Sequence, residues 1–125
     1  MSHQAASLLD LSQTILEVAG IRAEAKFDGV SLCSRMAGKG GDENRSLLFF
    51  GGWHVGLNFA CGLQHRMEDG RQFLYAYNCS SQCDQLYDLD SEDAINLLAD
   101  PGYAKIREQM IGLLTRHSLL ISSAG

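Results

Sequence analysis

Apolar residues recur at helical spacing near the start of the chain, where Leu8, Leu11, Ile15, Leu16 and Ala19 share one stripe. That pattern predicts an amphipathic helix over residues 7–20, its stripe turned toward a core and Gly20 offering a left-handed stop. Ser7 or Asp10 would cap it, Asp10 with Gln13 three residues on in the manner of a capping box. The period is then lost. Residues 21–45 mix Gly29, Gly38, Gly40 and Gly41 with many charges, which predicts an irregular connector with at most a short helix around Ser31 to Ala37.

From Ser46 the pattern shortens to runs of strand length: Leu47 to Phe50, Leu57 to Cys61, Gln72 to Tyr77 and Gln85 to Leu89, parted by turn residues. Asp69-Gly70 is the best hairpin signal, since both residues tolerate positive φ in a two-residue turn. The sheet over residues 46–90 should therefore be antiparallel. Asp100-Pro101 then marks a helix start, an N-cap followed by proline at the first helical position. In the helix predicted over residues 100–119, Tyr103, Ile106, Met110, Leu113 and Leu114 form the apolar stripe, while Lys105, Glu108, Gln109 and Arg116 mark the wet side. The expected class is α+β: one domain over residues 1–125, with a small antiparallel sheet of about four strands packed by an N-terminal helix and a long C-terminal helix.

Composition adds limits. With 46% hydrophobic residues in 125, the chain has apolar material for one core. A net charge of −5 gives no general attraction to nucleic acid or anionic membrane, so neither partner is expected. The first residues lack the features of a secretory signal, and no apolar run approaches a membrane span, which makes a cytoplasmic location the default expectation. Cys33, Cys61, Cys79 and Cys83 allow two disulfides in three pairings, but a domain of this size does not need them and reduced thiols are expected.

Three stretches go beyond generic α+β patterning. The first is Asp10-Leu11-Ser12-Gln13-Thr14 with Ala19-Gly20, followed by Asp28-Gly29-Val30-Ser31-Leu32. The second is Arg66 to Asn78, with Asp69-Gly70-Arg71 as its turn and Phe73-Leu74-Tyr75 returning. The third is Gln85-Leu86-Tyr87-Asp88-Leu89-Asp90, then Asn96-Leu97 and Pro101-Gly102-Tyr103. In order and spacing, from Leu8 to about Leu119, they resemble the C-terminal subdomain of the sulfatase branch of the alkaline phosphatase superfamily. The family's proline before Thr14 is here Gln13, which bears on helix entry and on no chemistry.

The resemblance implies a hydrolase of sulfuric esters that uses a formylglycine made within a C/S-x-P-S-R motif and a calcium or magnesium ion held by acidic residues. This sequence contains no such motif. Cys33-Ser34-Arg35 echoes it without the proline or the spacing. No catalytic residue, metal site or cofactor is therefore expected in this chain, which is expected to be the C-terminal part of a sulfatase without its catalytic N-terminal domain and inactive alone. Cys79 and Cys83 with His54 or His65 are a conceivable zinc set, set against plain loop cysteines or one local disulfide. Trp53 and His54, in Gly51-Gly52-Trp53-His54-Val55-Gly56, are the candidate substrate-binding residues, because the resemblance places this turn near the active-site mouth. The plainer alternative is a core tryptophan and an exposed histidine. The implied role is structural and substrate-shaping; the alternative is a stand-alone binding or assembly module. The expected partner is the missing catalytic domain, or a second copy in a homodimer.

Overall fold

A computed structural model describes residues 5–22, 24–42, 44–52, 59–78 and 81–123. Their elements run α1 (Leu9–Val18), α2 (Cys33–Met36), β1 (Leu47–Gly52), β2 (Phe59–Arg66), β3 (Gln72–Asn78), β4 (Cys83–Asp88), a 3-10 turn (Pro101–Tyr103) and α3 (Ala104–Ser123). The class is α+β, with a four-stranded antiparallel sheet. The chain divides into two compact units, Met1–Arg45 and Ser46–Gly125. The break falls where the sequence sets a glycine-rich connector against strands.

In residues 46–125 the strands lie in the order β1-β2-β3-β4, each antiparallel to its neighbour. Alternation along a strand sends every second side chain to one face. Leu63, Phe73, Tyr75 and Leu86 therefore meet Met110 and Leu114 of α3 in the buried core, with Leu48, Cys61, Tyr77, Tyr103 and Ile106 packed around it. The Tyr103 ring meets Phe73 edge-on at 6.1 Å between centroids. The predicted stripe of the last helix is thus the one that covers the sheet, and Lys105, Glu108, Gln109 and Arg116 are exposed. Asp100 caps as predicted, its Oδ1 accepting the Gly102 N–H at 2.8 Å, but the first turn is 3-10 and the α-helix begins at Ala104.

The β2–β3 hairpin sits where Asp69-Gly70 predicts it, with a different turn. Gly70 N–H donates to the Met67 carbonyl at 2.9 Å and Met67 N–H to the Arg71 carbonyl at 2.8 Å, which closes a three-residue loop. Gly70 takes a φ of +90°, and Asp69 is not in the left-handed region. One left-handed residue at the end of a three-residue loop replaces two in a two-residue turn.

Residues 1–45 depart further from the pattern. Ser7 does cap α1: its Oγ accepts the Leu9 N–H at 3.3 Å, while its own N–H donates to Asp10 Oδ2 at 2.8 Å. The reciprocal bond of the capping box therefore joins Ser7 to Asp10, and neither an Asp10 cap nor a Gln13 partner is formed. The apolar stripe is not buried. Leu8 is 84% exposed, Ile15 64% and Val18 71%, while Asp10 is completely buried and Thr14 nearly so. The connector offers α1 backbone donors and a guanidinium rather than hydrocarbon, so the polar edge of the helix turns inward. The short helix expected near Ser31 to Ala37 is present as α2. Among the described residues, no helix is long and apolar enough to cross a membrane.

Candidate functional site

The residues singled out for chemistry are not gathered into one site. Trp53 and His54 fall in residues 53–58, between β1 and β2, outside the described residues, as does Cys79. Of the conceivable zinc set, Cys83 is an exposed thiol whose Sγ donates to the Ser81 carbonyl at 3.4 Å. His65 lies on β2, its Nδ1 2.9 Å from Ser46 Oγ. Among the described residues, no group of three or more His, Cys, Asp or Glu could hold a metal ion. Cys33 begins α2 as a half-buried thiol whose Sγ lies 3.9 Å from the Thr14 carbonyl, and Arg35 donates to the Ala5 carbonyl at 2.8 Å. Both are engaged with backbone.

The structure concentrates its electrostatics instead at Asp10. Arg45 donates twice to this carboxylate, Nη1 to Oδ2 at 2.6 Å and Nη2 to Oδ1 at 2.8 Å, in the bidentate geometry a guanidinium favours. Ser7 N–H adds a bond to Oδ2, and Val30 N–H a bond to Oδ1 at 2.9 Å. Arg45 holds the carboxyl far below the usual carboxylate range; burial opposes this, and the two backbone N–H groups add to it. Arg45 is in turn raised, first by its bond to Asp10.

One helical turn on, Thr14 Oγ1 donates to the Asp10 carbonyl at 2.6 Å and accepts the Leu32 N–H at 2.9 Å. The connector reaches these acceptors because Gly29 lies flat against α1. A Cβ on Gly29 would stand 2.1 Å from the Leu9 carbonyl oxygen and 2.8 Å from the Asp10 nitrogen, so no other residue fits. Asp10 and Thr14 of the first motif half are thus joined to Gly29, Val30 and Leu32 of the second. The first resemblance marks a piece of architecture.

The other two stretches behave alike. Arg66 Nε donates to the Gly70 carbonyl at 3.0 Å and closes the hairpin. Asn96 Oδ1 accepts both the Leu86 and the Leu98 N–H at 3.1 Å, and Leu97 N–H donates to the Leu86 carbonyl at 2.8 Å, which lines the outer edge of β4. Asp90 Oδ2 accepts the Gln72 N–H at 2.8 Å. Beneath them, Asp84 Oδ2 accepts from Tyr75 Oη and Arg107 Nη2, each at 3.1 Å. Burial, then the bond to Asp84, pushes the Tyr75 phenol up to about 12. The sequence marks Asp10 as a candidate cap and Asp10 and Thr14 as motif residues, but not as the buried partners of Arg45 and Leu32. A signal was there, since a carboxylate and a hydroxyl one turn apart in a helix give one edge two acceptors.

No protein-family model matches the chain. Among curated proteins it is similar to Delta 4,5-hexuronate-2-O-sulfatase from Bacteroides thetaiotaomicron, with 29% identity over 108 residues. The likeness is to part of a sulfatase. The match takes in 85% of this chain and spans 22% of the length of that relative. It therefore supports a sulfatase-like segment and leaves most of the relative unrepresented.

Proposed function

We propose that this chain is the tail subdomain of a sulfatase-type hydrolase, with a structural and substrate-shaping role and no turnover of its own. The observation that carries the reading is the match over 85% of the chain to 22% of a sulfatase. Two physical features support it. The motif residues Asp10, Thr14, Gly29, Arg66 and Asn96 are engaged with backbone or with Arg45, as scaffold residues are, and so are not free to meet a substrate. The sequence also lacks the nucleophile motif the reaction implies.

On this reading the formylglycine and the calcium or magnesium ion are supplied outside these 125 residues, and the substrate class is a sulfate ester. Trp53 and His54 are then the residues of this chain proposed to meet the leaving-group side of the substrate. The test is hydrolysis of 4-nitrophenyl sulfate by the purified chain with calcium or magnesium added. No turnover is expected; turnover that co-purifies with the chain and is lost on denaturing it overturns the reading.

A second reading, a stand-alone assembly module, draws on one observation, the exposed apolar side of α1. It predicts a native gene product of 13.7 kDa by immunoblot, whereas a sulfatase tail predicts a band several times larger.

A further inference from the structure

The segment that follows α1 is pinned at two points and stands away from the helix between them. At the first, Ile21 N–H donates to the Leu16 carbonyl at 2.9 Å and Gly20 N–H to the Glu17 carbonyl at 3.0 Å, the paired bonds of a Schellman stop, with Gly20 at a φ of +68°. At the second, Gly29 lies flat on the backbone of Leu9 and Asp10, and Val30 N–H donates to Asp10 Oδ1. Between these anchors an open groove of about 440 Å³ runs beside the helix, within the roughly 300–1,000 Å³ of small-molecule sites. With both ends held, the groove is part of the fold. Leu16, Ile21 and Phe27 give it apolar surface, and Arg22 and Lys26 give it two cations against one anion, Glu17. Among the described residues neither cation is in an ion pair, whereas Arg45, Arg71 and Arg107 each meet a carboxylate. Glu24 and Asp28 belong to the same segment and do not line the groove.

We propose that this groove is an accessory binding site for a sulfated sugar, its sulfate held by Arg22 and Lys26 and its ring laid against Phe27 and Ile21. Charge selects an anion: a groove with an excess of unpaired cations, on a chain of net charge −5, draws a negative group to this place and not to the surface at large. The apolar lining selects an organic anion over a bare one, since an aromatic ring and two aliphatic side chains suit the C–H face of a sugar ring. The inference rests on the sulfatase reading above for the choice of a sulfate ester among organic anions. It adds to Trp53 and His54 a second place in the chain, one that holds the ester and takes no part in its cleavage.

The test is a titration of the full chain with glucose 6-sulfate, glucose and sodium sulfate at constant ionic strength, followed by amide NMR shifts. Glucose 6-sulfate should shift the amides of Ile21, Arg22, Phe27 and Gly29 saturably, and glucose should not. Sodium sulfate, which has no ring to bury, should bind about tenfold more weakly than the ester. Arg22→Gln combined with Lys26→Gln should weaken ester binding about tenfold through the loss of two exposed charge contacts. Both side chains are exposed, so the melting temperature of this variant should be unchanged. Equal binding of sodium sulfate overturns the sugar assignment; no saturable shift at the groove, or an affinity untouched by the double substitution, overturns the site. Absence of binding beside a native gene product several times larger than 13.7 kDa overturns the inference and leaves the sulfatase reading standing. Ester binding beside a native product of 13.7 kDa supports the groove and removes the sulfatase reading.

Discussion

In residues 46–125 the buried interior is hydrocarbon: Leu63, Phe73, Leu86 and Met110 are without solvent contact, and the polar groups around them close strand edges and turns. Among the described residues of 1–45 the buried side chains are Asp10 and Thr14, Leu16 and Leu32 are half-buried, and Leu8, Ile15 and Val18 stand outside. Residues 46–125 draw their stability from area removed from water, which is non-directional and tolerant of pH. Residues 1–45 draw it from a charged hydrogen-bond hub, which is directional and depends on protonation. A compact segment can thus be centred on polar groups when the donors aimed at a buried carboxylate find their acceptor.

The largest expected effects come from breaking each centre in turn. Phe73→Ala should cost about 3–5 kcal/mol, from lost transfer energy plus the cavity left under Tyr103, and a urea titration followed by tyrosine signals should show the loss undiminished from pH 5 to pH 8. Asp10→Ala should cost about 3–5 kcal/mol in residues 1–45 by leaving Arg45 without its partner. Hydrogen exchange at Val30 and Leu32 should accelerate while that of β2 and β3 is unchanged. Equal losses of protection in both regions would show that the two are one cooperative unit.

The pH response sharpens the contrast. The Asp10 carboxyl titrates lower folded than unfolded, so its contribution is fully present above the ordinary carboxylate range, about 4, and is lost as pH falls below it. The Tyr75 phenol, pushed up to about 12, has the opposite sense: the folded form keeps its proton while the unfolded chain gives it up, so stability falls as pH rises above about 10. Residues 1–45 should therefore loosen first in acid and residues 46–125 first in alkali, as read by exchange at Val30 and at Leu86. Asp10→Asn should abolish the acid phase.

Smaller changes test the edges. Asn96→Ala removes the acceptor of two backbone N–H groups and should cost about 1–3 kcal/mol, with faster exchange at Leu86 and Leu98. Asp100→Ala should cost about 1 kcal/mol through loss of the helix cap, with fraying confined to the start of α3.

The sequence by itself determined the helix stripe of α3, its Asp100-Pro101 start, β1, β3 and β4 of the sheet and the place of the β2–β3 hairpin, while β2, expected over Leu57 to Cys61, runs on to Arg66. These follow from period and from turn residues, which act over a few positions and need no knowledge of what lies across the fold. It also carried the motifs that point to a sulfatase. Only the tertiary structure decided which edge of α1 is buried, because that depends on Arg45, 35 residues away in sequence from Asp10, and on the close approach of Gly29. Amphipathic periodicity marks an apolar stripe but does not name the surface that covers it. Where a nearby segment offers charged and backbone donors instead of hydrocarbon, the polar edge is the one that turns inward.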